Sequence, residues 1–192
     1  MVYKINEIFY SIQGEGANTG MPAIFIRFAG CNLNCWFCDT DFSENYEYDL
    51  NELIEKLEEY NCKNIVLTGG EPTLQVDNEL LTKLKIKGYH ICLETNGTRP
   101  IIEGYDWVTC SPKSDKALRD LEYVNEIKIV NEPHITDQML DWYGDKYEEW
   151  LLYLQPCDDA KHHMNIDKTV EMVKRHPKWR LSIQTQKLID IK

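Results

Sequence analysis

The run Ala23-Ile24-Phe25-Ile26-Arg27-Phe28-Ala29-Gly30-Cys31-Asn32-Leu33-Asn34-Cys35-Trp36-Phe37-Cys38-Asp39-Thr40 carries an alternating strand into a cysteine-rich loop. Ile24, Ile26 and Phe28 fall on one face, Phe25 and Arg27 on the other, the period of two that a strand imposes. Gly30 lets the backbone bend sharply after the strand. Cys31, Cys35 and Cys38 follow, and three thiolates so close together can converge on one metal centre. They are one ligand short of a closed site, so a 4Fe-4S cluster held there keeps one iron open to a ligand from outside the protein. Asparagines and a glycine beside soft thiolates suit this chemistry, because they offer hydrogen bonds to sulfur. The competing reading is structural zinc, which takes four ligands from two knuckles. Cys62, Cys92, Cys110 and Cys157 are scattered singly, and that spacing speaks against zinc.

Strands and helices alternate on either side of this run. Ile5 to Tyr10 reads as a short strand, and Ser11 to Gly16 as a polar loop. Further strands are expected at Ile65 to Leu67, Tyr89 to Leu93, Trp107 to Cys110, Glu126 to Val130, Leu151 to Leu154 and Arg180 to Ile183. Helices are expected at Asp49 to Tyr60, where Asp49 and Glu52 make a capping-box start, at Asn78 to Lys87, stopped by Gly88, and at Asp167 to His176, stopped by Pro177. Ile135 to Tyr143 reads as a shorter helix. Alternation of this kind means parallel strands joined by crossovers. At 192 residues the chain is short for a closed eight-fold barrel, which takes about 250. The fold class is therefore α/β, an incomplete parallel β/α barrel of about six strands with few helices, formed by a single domain over residues 1–192. Polar clusters directly follow the strands: the cysteine loop, Thr68 to Pro72, Glu94 to Gly97, Ser111 to Lys113 and Gln155 to Asp158. In parallel α/β architectures those strand ends share one rim, where ligands bind. Turn-making explains the glycines and prolines of these clusters. It explains less well Glu71, Glu94, Lys113 and Gln155 at matching offsets.

Composition narrows the partners. The formal charge is −11, from 21 basic against 32 acidic residues, which leaves no basic stripe for nucleic acid. Acidic runs such as Glu55 to Glu59 read as solvated faces. Met1 to Ser11 lacks the basic and apolar regions of a signal peptide, and no apolar run is long enough for a membrane span. A cytoplasmic location is expected, where thiols bind metals or stay buried. Cys62, Cys92 and Cys110 read as small buried hydrophobes.

The spacing C-x-x-x-C-x-x-C, with Gly30 before it and Trp36 and Phe37 within it, resembles the signature of the radical S-adenosylmethionine (SAM) enzymes. Further tracts narrow the resemblance: Glu7-Ile8-Phe9-Tyr10-Ser11-Ile12-Gln13-Gly14-Glu15-Gly16, Arg27 to Leu33, Cys38-Asp39-Thr40-Asp41-Phe42, Thr68-Gly69-Gly70-Glu71-Pro72 and Glu94-Thr95-Asn96-Gly97. Ser111-Pro112-Lys113, Leu154-Gln155-Pro156 and Arg180 to Thr185 complete the set. End to end, the chain is similar to the 7-carboxy-7-deazaguanine synthase family, and so to a barrel of radical SAM type. The resemblance implies a lyase that turns 6-carboxy-5,6,7,8-tetrahydropterin into 7-carboxy-7-deazaguanine with loss of ammonia. A reduced cluster would cleave SAM to methionine and a deoxyadenosyl radical, which takes and later returns a hydrogen at C6. The cofactor carries the chemistry and the protein positions it.

By the same resemblance Cys31, Cys35 and Cys38 hold the cluster. Phe37, Asp39, Gly70, Ser111, Pro112, Lys113, Gln155, Pro156, Cys157 and Asp158, with Cys38, surround SAM. Ile12, Gln13, Gly14, Arg27, Thr68 and the C-terminal Lys192 hold the pterin, and Thr40 ligates Mg²⁺. Arg27 is expected to meet the pterin carboxylate, its alternative being an ion pair with Glu15 or Glu94. An external, flavodoxin-like electron donor and a homodimer are implied as well. The chain departs from the family at Gln186, where histidine is expected, and at Lys192, where proline is common. The alternatives are an activase that places a glycyl radical on a partner enzyme, which shares the cysteine loop but leaves Gln13 to Gly16 and Arg27 unexplained, or a non-catalytic iron–sulfur or zinc protein.

Overall fold

The computed structural model describes residues 1–41, 44–113, 123–158 and 162–192. Phe42 of the cysteine-loop tract lies outside them. Nine strands form one sheet in the order β3-β1-β2-β4-β5-β6-β7-β8-β9. They are β1 (Val2–Ile12), β2 (Pro22–Phe28), β3 (Tyr46–Asp49), β4 (Asn64–Gly69), β5 (His90–Thr95), β6 (Trp107–Cys110), β7 (Glu126–Asn131), β8 (Leu151–Pro156) and β9 (Trp179–Leu181). The sheet does not close. From β2 onward every pairing is parallel, as expected for a partial barrel.

The first edge corrects the all-parallel expectation. β1 pairs antiparallel with β2 and with β3. The link from β1 to β2 is a loop of turns without a crossover helix, and a short link can only reverse the chain. β3 was not expected from the sequence. Its four residues, Tyr-Glu-Tyr-Asp, alternate tyrosine with acid, but the run is short and largely exposed.

The helices are α1 (Leu50–Glu58), α2 (Asn78–Ile86), α3 (Asp137–Lys146), α4 (His162–Arg175) and α5 (Thr185–Leu188). The α1 capping box forms as expected: Asp49 accepts from the Asn51 and Glu52 amides, and the Glu52 carboxylate accepts from the Asp49 amide at 2.8 Å. α4 begins one turn before the expected Asp167, and α3 runs past Tyr143. β9 ends at Leu181 rather than Ile183, and Ser182 beyond it donates its hydroxyl to Gln155 Oε1 at 3.0 Å. No described helix is long and apolar enough to cross a membrane.

Two faces of the sheet differ in kind. Ile24, Ile26 and Phe28 of β2 are wholly buried with Leu53 and Leu57 of α1, Leu80 and Leu84 of α2, and the outward residues of the other strands. The opposite, concave face carries only a small apolar cluster of Ala23, Phe25, Val66 and Cys92. Beyond it the inward side chains become polar. Lys128 of β7 is buried there, its Nζ 2.5 Å from Glu15 Oε2 and 3.9 Å from Glu94 Oε1. Glu15 Oε1 also accepts from Gln184 at 2.9 Å and Gln186 at 3.0 Å. Burial alone would push the Glu15 carboxyl up, but Lys128 and the two amides outweigh it and hold it at about 2.

Glu15→Gln leaves the Lys128 ammonium buried without its close carboxylate, a change of the kind that costs about 3–5 kcal/mol. The folded Glu15 titrates far below its ordinary 4.5, so its stabilisation is complete above that value and fades as pH falls towards 2. Urea unfolding across this acid range should show a steeper loss in the wild type than in Glu15→Gln. Parallel pH profiles would contradict the pair's role.

Candidate active site

The strands deliver their polar residues to one rim. Inward columns run from Phe25 to Arg27 on β2, Val66 to Thr68 on β4 and Cys92 to Glu94 on β5. Arg27 stands level with Thr68, and Glu94 with Thr109. With Lys128 and Val130 of β7 and Gln155 of β8 they line a cavity of ≈ 300 Å³. Ligands in parallel α/β folds bind at such strand ends.

The cysteine loop is seated on the turn after β4. Gly30 takes φ +85°, a backbone state that side chains disfavour. The Gly70 amide donates to Phe28 O and the Glu71 amide to Gly30 O, both at 3.0 Å. A Cβ on Gly70 would lie 1.9 Å from Gly30 O, so only glycine permits this approach. Glu71 is fully buried and faces away from the cavity, contrary to the reading that grouped it with the rim residues. It accepts from Thr73 N at 3.1 Å, Thr73 Oγ1 at 2.6 Å, Thr95 Oγ1 at 2.7 Å and Asn96 N at 2.7 Å. It thus stitches the β4 turn to the end of β5. From there Asn96 Nδ2 reaches Cys31 Sγ at 4.0 Å and Asn32 Oδ1 at 3.0 Å. Cys31 Sγ thus has two amides beside it, the Leu33 backbone N–H at 3.4 Å from its own loop and Asn96 Nδ2 from the turn after β5, which Asn32 helps to hold.

Cys31 and Cys38 are exposed and Cys35 is half-buried; of the three, Cys38 lines the cavity. Among the described residues no three His, Cys, Asp or Glu side chains surround one metal-sized point. The thiols share a loop without closing on a centre. Burial pushes the Cys35 thiol up, Lys113 pulls it down, and Cys31 and Cys38 push it up again. Three thiolates need a cation's charge to draw them together. The donor set, three soft sulfurs and no fourth ligand among the described residues, fits a cluster with one open iron better than a closed zinc site.

Of the residues expected around SAM, Phe37, Asp39, Gly70, Ser111, Lys113, Gln155, Pro156 and Asp158 line the cavity. Pro112 and Cys157 are buried outside it. Lys113 donates to Ser111 Oγ at 2.8 Å and lies 5.2 Å from the Phe37 ring centroid. Burial lowers its pKa, and the Cys35 sulfur only partly offsets this. An ammonium placed so favours an incoming anion, which a SAM carboxylate can supply.

Ile12, Gln13, Gly14, Arg27, Thr40, Thr68 and Lys192 line the same cavity. Glu94 accepts from Gln13 Nε2 and from Thr68 Oγ1, each at 2.9 Å. Arg27 is paired, but not with either acid that was weighed as its alternative partner. Its Nε donates to Glu7 at 2.8 Å, an acid directly across the β1–β2 pairing and neither of the two weighed from sequence. Lys192 Nζ meets the other Glu7 oxygen at 2.5 Å, so two cations face one carboxylate. Arg27 Nη1 also points to Thr40 Oγ1 at 3.5 Å.

Sequence reading missed Lys128, whose signal was a lone lysine in an apolar strand. It gave Gln184 no role although it quoted the tract that holds it, and it missed Lys187, which no local pattern marks.

The chain resembles known proteins throughout. Residues 25–120 match the radical SAM superfamily model. The 7-carboxy-7-deazaguanine synthase of Bacteroides thetaiotaomicron is 48% identical over 192 residues, covering 100% of both chains. That of Burkholderia multivorans is 40% identical, again over 100% of both. Among solved structures, QueE from Escherichia coli superposes with a TM-score of 0.79 at 28% identity, over 96% of this chain and 95% of that one. TYW1 with a lysine–pyruvate adduct bound shares the fold, with a TM-score of 0.52 at 16% identity over 80% of this chain and 73% of that one.

Alanine at Cys31, Cys35 or Cys38 should abolish turnover and most of the brown colour after anaerobic reconstitution with iron and sulfide. Alanine at Cys62, Cys92 or Cys110 should change stability alone. Iron and sulfide analysis checks this; cluster loss in a Cys62 variant would mean the ligand set is wrong.

Proposed function

Since the chain belongs to the 7-carboxy-7-deazaguanine synthase family within the radical SAM superfamily, we propose that it converts 6-carboxy-5,6,7,8-tetrahydropterin to 7-carboxy-7-deazaguanine with loss of ammonia. One observation carries the reading. The same cavity is lined by Cys38 and Lys113, assigned here to a cofactor half, and by Arg27, Thr40, Gln13 and Lys192, assigned to a pterin half. That is the layout for a cofactor and a carboxylated heterocycle held face to face.

Cys31, Cys35 and Cys38 are assigned to the cluster. Phe37, Asp39, Gly70, Ser111, Lys113, Gln155, Pro156 and Asp158 are assigned to SAM. When bound, these groups supply the hydrogen-abstracting chemistry. The remaining work belongs to the chain. Glu7 fixes the Arg27 Nε while its terminal nitrogens, one of them also within 3.5 Å of Thr40 Oγ1, meet the pterin carboxylate, the forked recognition that a guanidinium permits. Glu94 orients Gln13 and Thr68 towards the ring. Thr40 gives one oxygen to a Mg²⁺ ion, whose other ligands come from substrate and water, as suits an ion that rarely takes an all-protein cage. Fixing the substrate in this way can dominate a rate. The electron comes from an external, flavodoxin-like donor, and the chain works as a homodimer.

Anaerobic incubation with SAM, dithionite and the carboxypterin, followed by mass analysis, should yield the deazapurine and ammonia. SAM cleavage without deazapurine would sink the reading. Arg27→Ala should weaken pterin binding and leave SAM binding intact; equal loss of both would make Arg27 a structural partner of Glu7. Thr40→Ala should keep the cluster and SAM cleavage but lose the Mg²⁺ stimulation of product formation, and Thr40→Ser should retain most of it. Full stimulation in Thr40→Ala would place the metal elsewhere.

A further inference from the structure

The C-terminal segment lines the cavity through Gln184, Gln186 and Lys192 and touches residues assigned to both halves. On the pterin side the Thr185 amide donates to Gly14 O at 3.0 Å, and the Lys192 main-chain oxygen accepts from Ser11 Oγ. On the cofactor side Lys187 Nζ lies 2.6 Å from Asp39 Oδ2 and 2.6 Å from Asp158 Oδ2. Asp39 follows Cys38 directly, and Asp158 ends the polar run after β8. Lys187 therefore ties together two loops that are distant in sequence.

We propose that Lys187 is a positioning residue that couples the two halves of the pocket, so that the tail closes over Gly14 when the Asp39 and Asp158 loops are set by SAM. This rests on the assignment of those loops to SAM under the function proposed above. Lys187 touches no reacting atom; it acts through the two aspartates and through the backbone that joins it to Thr185.

Hydrogen exchange of the anaerobically reconstituted chain, with and without SAM, tests the coupling. In the wild type SAM should slow exchange in residues 184–192 and also in 12–16. In Lys187→Met the protection of 12–16 should vanish, SAM should bind about tenfold more weakly, within the range that coupling between two sites commonly spans, and deoxyadenosine released per deazapurine should rise. Lys187→Arg keeps the charge and should restore most of all three. A Lys187→Met variant that loses thermal stability yet keeps SAM-dependent protection of 12–16 and an unchanged product ratio would overturn the proposal. If that variant fails to fold, the wild type decides alone, since absence of SAM-dependent protection at 12–16 also overturns it. A wild type that makes no deazapurine but still shows the protection would keep the coupling and sink the pterin reading.

Discussion

The seating of the cysteine loop on the turn after β4 is the contact on which the site depends. It is made by backbone: Gly70 N to Phe28 O and Glu71 N to Gly30 O. No side chain can be repacked to replace it, and a Cβ at Gly70 would strike the Gly30 carbonyl. The same turn carries Glu71, whose buried carboxylate takes hydrogen bonds from Thr95 and the Asn96 amide. A buried carboxylate is tolerable only when so satisfied. Through Asn96 the end of β5 then reaches the first cysteine. Three strand ends are thus locked into one rim before any ligand is bound.

The rest of the cavity follows from where each strand's inward column changes from apolar to polar. That change falls near the same height on β2, β4 and β5, so Arg27, Thr68 and Glu94 meet at one level. Below it, Phe9 and Phe25 stack at 5.0 Å with planes 6° apart, giving a flat apolar floor beneath Arg27. The acidic composition is partly spent inside. Glu15, Glu71, Glu94 and Glu126 all engage partners within the fold, so the overall charge says little about what the surface binds.

Much of this was legible in the sequence, because short-range rules sufficed. Alternation marked β2, the capping residues marked α1, and the spacing of Cys31, Cys35 and Cys38 marked the rim. Cys92 was read as a buried small hydrophobe, and its thiol is indeed pushed up to about 12, chiefly by burial. What was not legible depended on distant partners. Glu7 is an unremarkable strand residue until antiparallel pairing sets it against Arg27. Lys128 gains meaning only from Glu15, 113 residues away in sequence. Lys187 gains it from Asp39, 148 residues away. β3 escaped because so short and exposed a run, despite alternating Tyr46 and Tyr48 with acids, owes its place to pairing with β1. Glu71 sat at the offset of a site residue, yet its carboxylate was claimed by the neighbouring turn.

The central claim is that the loop presents three cysteines and leaves one position for SAM. Electron paramagnetic resonance of the reduced, reconstituted chain, before and after addition of SAM, tests it most directly. A change in the cluster spectrum on adding SAM is the predicted result. A spectrum that SAM leaves untouched would mean a closed centre with four protein ligands, and would contradict the account.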